Sequence, residues 1–531
     1  MPRNRSAAAL AVAGILGGVA LLVAFNVPSP QTAAPAAPAA GGQGQVVYQK
    51  WCAGCHGDQG KGDGPGAGHL LPKPRDFTKA LYQVRSTATG EVPTDDDIRR
   101  AIDEGMGGSS MPAWKNTLSS AERAALVQYV KTFSNAFTTA PKLLAWGSDP
   151  GGNQAAVDSG RALFRVIQCF KCHGEQARGD GRSAPTLKDD WGNPIRAADL
   201  SQNWRFNGGG TVEDIYHRLR TGLDGTPMPS FSDQIDAKVI TDGDLWRIAH
   251  YLRSLAPKEE PKVRDVINAV RVPARLPTGP DDSAWAKADR YYFPLVGQVI
   301  VRPRWFAPAV NGVWVQALHN GQQLALRVSW HDPSKSPDST WNLWRGRMAR
   351  SMTSDDTVPA DTATPLPDRL ALEFPTRLVE GADRPYFLMG STEQPVYLWR
   401  WESDPGAATE AVAHGLGHEE PMDAQPDSVS ATGVYDHGEW RVQFVRTLAT
   451  ADSTNRLQFA PGRVIPMGIF AWDGSNGESG TRTAVGSWVA IYLGEPARAG
   501  TYAWPLLAML GAGGFGLVVV RRAQRAAGSS Q

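Results

Sequence analysis

Two short motifs carry the recognisable chemistry of this chain, and together they use all four of its cysteines. Each motif has the form Cys-x-x-Cys-His, first at 52–56 and again at 169–173. Two thiols at this spacing can add to the vinyl groups of one haem, and the following histidine can bind its iron. The sequence therefore predicts two covalent haems c. The predicted attachment residues are Cys52, Cys55, Cys169 and Cys172, and the predicted histidine ligands are His56 and His173.

Two other uses of a cysteine pair fit less well. A structural zinc ion takes four nearby nitrogen or sulfur ligands, whereas these pairs are 117 residues apart in the chain. A redox-active dithiol of the thioredoxin type needs no histidine after the second cysteine and belongs to a βαβ pattern. The histidine in both motifs favours haem over either alternative.

An internal repeat supports the haem interpretation and suggests the second axial ligands. A shift of 117 residues superimposes Gly62-Asp63-Gly64 on Gly179-Asp180-Gly181, and Met111 on Met228. Each of these methionines lies 55 residues after its haem histidine, and methionine sulfur is a common haem-iron ligand. Met106 is excluded because the repeat places Leu223 at the equivalent position. The rival ligands His69, His217 and His250 have no counterpart in the other copy.

Each copy ends in a predicted helix, at 118–133 and at 241–255, with capping residues at its start and apolar residues at helical spacing. Residues 43–136 and 155–256 resemble the class I cytochrome c family, a small helical fold with an N-terminal haem motif and a methionine loop. The resemblance implies two tandem all-α cytochrome c modules, which we assign to residues 43–136 and 137–256.

The second half of the chain has a different periodicity. A Pro-rich and charged segment, 257–274, is predicted to be a linker. Alternating apolar residues at 313–318 and 324–330 flank Asn320-Gly321, which is typical of a β-hairpin. Further strands are predicted at 370–374, 396–401, 440–448, 467–472 and 487–493. Short strands at this density predict an all-β sandwich over residues 275–496.

This region resembles the haem-b-binding γ subunit of type II molybdoenzymes in the dimethyl sulfoxide reductase family, such as ethylbenzene dehydrogenase, selenate and chlorate reductases and nitrite oxidoreductase. The matching strings are ALHNGQQLALRVSWHD (317–332), DRLALEFP (368–375), PYFLMG (385–390), PVYLWRW (395–401) and IFAWDGSNGE (469–478). The resemblance implies one haem b, with Met389 of the FLMG string as an iron ligand, and electron transfer between an iron–sulfur subunit and an acceptor.

The chain departs from that family at the second haem b ligand. The resembling γ subunits use a lysine late in the domain, but this chain has no lysine after Lys335. Arginine cannot replace it because a guanidinium offers no lone pair. Either Lys287 or Lys335 approaches by an unexpected path, or a histidine takes over, or the domain has lost its haem and only docks partners. The histidine candidates are His319, His331, His414, His418 and His437.

Both ends of the chain contain apolar runs that predict membrane spans. Residues 7–25 follow two arginines and precede an Ala/Pro linker, so residues 1–42 are a cleaved signal or an anchor plus linker. A second run is predicted to span the membrane at 500–522, with Arg521, Arg522 and Arg525 on the cytoplasmic side and a tail at 523–531. These flanks place the haem domains on the periplasmic or extracytoplasmic side of a bacterial or archaeal cell membrane.

Composition and motifs together define the expected function. The balance of 54 basic and 53 acidic residues argues against a nucleic-acid partner, and the sequence shows no catalytic constellation. The expectation is a membrane-anchored electron-transfer subunit. Its partners would be the catalytic and iron–sulfur subunits of a molybdoenzyme and a cytochrome or terminal oxidase. The alternatives are a stand-alone dihaem carrier with a docking β domain, or a haem enzyme in its own right.

Overall fold

The structure, a computed structural model, describes residues 40–273, 275–352, 364–378, 384–495 and 499–528. A helical N-terminal region is followed by a large sheet-rich domain and one long apolar helix. The helices are α1 (Ala40–Trp51), α2 (Ala53–His56), α3 (Asp95–Glu104), α4 (Ser120–Lys131), α5 (Gln154–Val166), α6 (Phe170–His173), α7 (Val212–Thr221), α8 (Ser232–Asp236), α9 (Asp242–Leu255), α10 (Asn342–Ser351) and α11 (Ala499–Gly528).

The helical region consists of two halves built from corresponding elements, which we call the first half (43–136) and the second half (155–256). Helices α3 and α7 each begin at a threonine whose side chain accepts a hydrogen bond from the amide of an aspartate three residues later. In both, that aspartate bonds back to the threonine amide, which completes a capping box. Helices α4 and α9 also begin with a capping box, and both lie within the two predicted helical spans.

Each half buries its own apolar core. In the first half, Tyr48 of α1 packs with Leu126 and Val130 of α4. In the second half, Phe164 of α5 packs with Ile248 and Leu252 of α9. In each half, the haem motif and the methionine lie between these two terminal helices.

The sheet-rich domain folds as one hydrogen-bonded series of strands in the order β10-β11-β5-β4-β1-β14-β12-β6-β7-β8-β9. Strand β1 pairs in parallel with β14 and with β4, and the other neighbours in this series pair antiparallel. The strands are β1 (Val266–Arg271), β2 (Tyr291–Pro294), β3 (Val296–Gly297), β4 (Gly312–His319), β5 (Gln323–His331), β6 (Arg369–Pro375), β7 (Val396–Glu402), β8 (Ala408–Ala413), β9 (Glu419–Pro421), β10 (Ser430–Asp436), β11 (Glu439–Thr447), β12 (Val464–Trp472), β13 (Ala484–Val485) and β14 (Val489–Leu493).

Strand alternation divides the apolar side chains between two layers. On β6, Leu370, Leu372 and Phe374 face a large central core shared with β5, β11 and β12, whereas Ala371 faces a second cluster on the other side. Strand β7 alternates in the same way. The central core therefore lies between two layers of strands, as the sequence predicts for a sandwich.

The predicted hairpin is confirmed as β4 and β5, with Gly321 at φ +90° in the turn. The bounds of the five other predicted strands agree to within three residues with those of β6, β7, β11, β12 and β14. Strand β1 lies inside the segment predicted to be a linker, so the sheet begins earlier than the sequence indicated. Helix α10 was not predicted; it contributes Trp344 and Met348 to a small core beside the sheet.

The C-terminal helix α11 contains a stretch, Ala503–Arg525, that is long and apolar enough to cross a membrane by length and composition. None of its most apolar window is packed inside the protein. The N-terminal apolar run at 7–25 lies outside the described residues.

Candidate haem sites

Both motif histidines are held by the same backbone contact. The Nδ1–H of His56 donates to the carbonyl oxygen of Arg75 at 3.0 Å, and that of His173 donates to the carbonyl of Ala198 at 3.0 Å. A carbonyl can only accept, so the proton is on Nδ1 and Nε2 keeps its lone pair. Burial lowers the pKa of both imidazoles, which keeps them neutral. Each histidine therefore presents a metal-binding nitrogen in a fixed orientation.

The cysteines lie on the turns that precede these histidines. The amide of His56 donates to the carbonyl of Cys52 at 2.9 Å, and the amide of His173 donates to that of Cys169 at 3.0 Å. Burial raises the pKa of Cys52 and Cys169 to about 12. Both thiols are therefore protonated at neutral pH.

The repeated Gly-Asp-Gly string closes the loop behind each histidine. The amide of Gly62 donates to the carbonyl of His56 at 2.8 Å, and the amide of Gly179 donates to that of His173 at 2.8 Å. Both glycines have φ above +70°, and a Cβ there would collide with backbone of the same half, at Pro74 or Ala197. The glycines are thus required by the close packing of this loop.

The two methionine loops are structurally equivalent. The amide of Met106 donates to the carbonyl of Met111 at 3.1 Å, and the amide of Leu223 donates to that of Met228 at 3.1 Å. The amides of Met111 and Met228 each donate to a hydroxyl two residues earlier, at 3.2 Å. These contacts place Leu223 where the first half has Met106, as the repeat indicated. Iron ligation by Met111 and Met228 stays a prediction.

Unpartnered polar atoms beside His56 fit a haem. Nη1 of Arg75 and the hydroxyl of Tyr82 are buried and have no hydrogen-bond partner among the described residues. Phe77 stacks on His56 with ring centroids 4.5 Å apart and also stacks on Tyr82. Buried polar groups normally have partners, and haem propionates would supply acceptors here. Arg75 and Tyr82 could therefore hold the carboxylates of a haem bound in the first half.

The rival histidines have other contacts. His69 packs on Phe306 of the sheet domain with ring centroids 4.5 Å apart. His217 packs on Trp146 at 4.0 Å, and His250 shares a hydrogen bond with Asp149 at 2.9 Å. These contacts support the interpretation that the three histidines are structural.

The ligand-bearing loops of the two halves lie against each other. Arg85 of the first half is fully buried and donates to Asp224 at 2.8 Å and to the carbonyl of Thr221 at 2.5 Å. The guanidinium of Arg75, whose carbonyl holds His56, lies over the ring of Trp191 in the second half. Thr221 and Asp224 lie only a few residues before Met228, so the interface joins the surroundings of the two predicted haems.

The haem loop of the second half also contacts the sheet domain. Arg178, five residues after His173, forms an ion pair with Glu439 at 2.8 Å. Its carbonyl accepts a hydrogen bond from Nε2 of His331 at 2.5 Å, and its Nη1 donates to the carbonyl of His437 at 3.5 Å. His331 and His437 are therefore part of the contact between the helical region and the sheet.

In the sheet domain, Met389 is buried and has a positive φ of 61°, which is unusual for this residue type. Its amide donates to Glu373 at 3.2 Å, and its carbonyl accepts from the amide of Gly415 at 2.8 Å. Burial raises the pKa of Glu373 well above its usual value. The side chain of Met389 packs with Leu388, Leu416 and neighbouring apolar residues on the outer face of β6, β7, β8 and β12.

Comparison with known families agrees with the division of the chain into a helical region and a sheet-rich domain. A family described as cytochrome c oxidase, cbb3-type, subunit III matches residues 39–130 and again 155–252. The ethylbenzene dehydrogenase family matches residues 282–427. The chain carries a cytochrome c domain and an ethylbenzene dehydrogenase γ-like domain.

Individual relatives cover parts of this chain. A respiratory nitrate reductase haem subunit from Haloferax mediterranei is 25% identical over 48% of this chain and 82% of its own length. The chlorate reductase γ subunit of Ideonella dechloratans is 25% identical over 41% of this chain and 80% of its own length. A chain of a reducing HAO-like protein complex from Kuenenia stuttgartiensis is 40% identical over 40% of this chain and 96% of its own, with a TM-score of 0.38.

The candidates for a second haem b ligand lie at several places in the γ-like domain. Lys287 and Lys335 are both exposed. His319 is buried at the end of β4, paired with Leu324 of β5, on a strand that does not contribute to the apolar cluster around Met389. His331 and His437 belong to the contact with the helical region.

His414 and His418 lie closer, in the loop whose Gly415 amide bonds to the Met389 carbonyl. The loop that carries these two histidines therefore contacts the predicted ligand Met389 through its backbone. A haem b at Met389 and its second ligand stay predictions.

Proposed function

We propose that this chain is the electron-transfer subunit of a molybdoenzyme complex, with one haem c in each of two tandem cytochrome modules. The observation that carries the proposal is the duplicated histidine geometry: the same Nδ1–carbonyl hydrogen bond, at 3.0 Å, recurs in two halves packed onto a γ-like domain. Two relatives, a nitrate reductase haem subunit and a chlorate reductase γ subunit, agree with such a role by their names.

The ligand assignment follows the repeat. In this proposal Cys52 and Cys55 attach the first haem, and Cys169 and Cys172 attach the second. The axial pairs are His56 with Met111 and His173 with Met228. When bound, each haem supplies reversible one-electron chemistry, and a methionine ligand raises its reduction potential. The protein orients the histidines through the carbonyls of Arg75 and Ala198, and burial keeps the imidazoles neutral.

The γ-like domain acts as a docking unit in this proposal. It contacts the helical region through Arg178 and through Phe306, which packs on His69, and offers its remaining surface to partner subunits. The partners we propose are the catalytic and iron–sulfur subunits of the molybdoenzyme, and a cytochrome or terminal oxidase that exchanges electrons with the haems. A haem b at Met389 is not part of this proposal, because this chain lacks the late lysine that the resembling γ subunits use as the second ligand.

We further propose that α11 anchors the chain in the membrane, with the haem-bearing region on the periplasmic side. The length and apolar composition of Ala503–Arg525 support a span, and the arginines at its C-terminal end favour a cytoplasmic tail. An extracytoplasmic location also agrees with two pairs of cysteines reserved for haem attachment.

The experiment is purification of the complex through a C-terminal tag on the full chain, expressed in its own host and extracted with mild detergent. The expected result is co-purification of two further subunits, with molybdenum and non-haem iron each present in stoichiometric amount by elemental analysis. A tagged chain carrying both haems but no molybdenum would contradict the molybdoenzyme role and favour a stand-alone dihaem carrier.

A further inference from the structure

Three carboxylates from separate parts of the sheet domain meet in its interior. Asp332 follows β5, Asp368 precedes β6 and Asp473 follows β12, and all three residues are fully buried. One ligand oxygen from each lies within 4.8 Å of the others. Neither the haem sites nor the proposed docking role uses these residues.

Hydrogen-bond donors fix the carboxylates in place. Asp368 accepts from the amide of Gly474 and from the indole Nε1 of Trp440, each at 2.9 Å. Asp473 accepts from the amide of Asn476, and Asp332 accepts from the amide of Ser334, each at 3.1 Å. Asp368 also accepts from the amide of Ser336 at 2.7 Å, so three donors reach a carboxylate that has about four acceptor positions when ionised. The oxygens thus retain lone pairs that can point toward a common centre.

The cluster holds more negative charge than its described partners balance. Glu478 is a fourth fully buried carboxylate, linked to Asp473 through the Asp473 amide at 2.9 Å. Arg196 forms an ion pair with Asp473 at 3.4 Å, and Arg345 donates to the carbonyl of Gly474 at 3.4 Å. Oδ2 of Asp332 is buried with no hydrogen-bond partner among the described residues. An ionised oxygen in this position requires a cation or a proton.

We propose that Asp332, Asp368 and Asp473 bind a calcium ion. Ca²⁺ prefers oxygen ligands at about 2.3–2.6 Å, so two ligands on opposite sides of the ion are about 4.6–5.2 Å apart. Oxygens that all lie within 4.8 Å of one another agree with that span. Hard carboxylate ligands without cysteine or histidine select Ca²⁺ over softer metals. The unpartnered oxygen of Asp332 becomes a ligand in this arrangement.

The bound ion would also stabilise the contact between the sheet and the second haem loop. Arg196 reaches from the helical region to Asp473 and, at 3.0 Å, to Asn476. It lies two residues before Ala198, whose carbonyl holds His173. A cation that fixes Asp473 therefore fixes the partner of Arg196, next to the segment that orients a predicted haem ligand.

The test is calcium binding by the purified full-length protein. Protein treated with a chelator and exchanged into calcium-free buffer is dialysed against radioactive Ca²⁺ up to about 1 mM, a range that includes weak extracellular calcium modules. The expected result is about one bound ion per chain, with a melting midpoint that rises on adding Ca²⁺. Asp332→Asn should weaken binding at least tenfold and abolish the rise. The control Asp281→Asn, which changes a surface carboxylate in the same domain, should bind as the wild type does.

The wild-type protein alone can overturn the proposal. If it binds no Ca²⁺ up to that concentration and its melting midpoint is the same with and without the ion, the carboxylates share protons instead and the site does not exist. If Asp332→Asn fails to fold, Asp473→Asn replaces it. Undiminished calcium binding by that variant would also contradict the assignment.

Discussion

The helical region and the γ-like domain differ in how far apart along the chain their predicted metal ligands lie. In the helical region, each predicted haem depends on a five-residue motif and a methionine 55 residues later, all within one half. In the γ-like domain, the family's ligand pair would join Met389 to a lysine late in the domain, and this chain has no lysine after Lys335. Local, duplicated ligand sets are preserved here, whereas the long-range pair is not.

The two regions also differ in what their cores contain. The central core of the γ-like domain buries Trp330, Trp399, Trp401 and Trp440 and needs no cofactor to be filled. Each helical half is short, and a module of that size gains much of its apolar core from a bound haem. We therefore expect loss of haem to disturb the helical region far more than the γ-like domain.

The largest effect should come from removing one attachment pair. Cys52→Ser combined with Cys55→Ser should halve the covalent haem content, because neither serine can form a thioether to a vinyl group. The same change at Cys169 and Cys172 should remove the other half. The measurement is the haem c content per chain from the pyridine haemochrome spectrum. Unchanged content in either variant would refute the assignment of that motif.

Replacing an axial methionine should have a smaller but specific effect. Met111→Ala or Met228→Ala should keep both haems attached, remove the weak near-infrared sulfur-to-iron band of one haem, and lower its reduction potential. Redox titration with absorption spectroscopy measures both changes. Met106→Leu is the matched control, because the second half has Leu223 at that position. An altered spectrum in the control and none in Met111→Ala would reassign the ligand.

The contact between the halves can be weakened without touching a ligand. Arg85→Ala removes a buried guanidinium together with its ion pair to Asp224 and its hydrogen bond to the Thr221 carbonyl, which should cost about 3 kcal/mol of stability. Denaturant unfolding followed by circular dichroism measures the loss. Arg99→Ala is the control, since its pair with Asp96 is exposed and should contribute less than about 1 kcal/mol. Equal effects of the two variants would show that the interface is not stabilising.

The smallest effect concerns the pH dependence of a second contact between the halves. Burial alone would raise the pKa of Asp214, but its bonds to Thr211 and its ion pair with Arg100 hold that pKa below the usual value. A depressed carboxyl pKa adds stability above about pH 4, and this stability is lost as the pH falls through the lower folded-state value. Asp214→Asn should thus cost about 1 kcal/mol at pH 7 and less at pH 3.

Unfolding midpoints of wild type and Asp214→Asn at several pH values measure this difference. Arg100→Met should show the same pH profile, because it removes the other member of the pair. A destabilisation by Asp214→Asn that stays constant down to pH 3 would contradict a contribution of the ionised carboxylate to stability.

Sequence-based prediction succeeded for features set by local signals and failed for features set by contacts between residues far apart in the chain. The repeat predicted the equivalence of Met111 and Met228, and the Asn320-Gly321 turn predicted a hairpin, because both signals are local. Strand β1 was missed because it pairs in parallel with β14, more than two hundred residues later in the chain, and its short sequence has no strong alternation. The cluster of Asp332, Asp368 and Asp473 was missed for the same reason, since only the folded sheet brings these residues together.

The central claim is that covalent haem resides in the helical region and that the γ-like domain has no haem of its own. Extraction of the full-length protein with acidified acetone tests this directly, because it removes haem b and leaves thioether-bound haem in place. Protein made with an ample haem supply should give a colourless extract and about two haems c per chain in the remaining protein. About one extractable haem b per chain would contradict the account and show that Met389 finds an opposite ligand in the holoprotein.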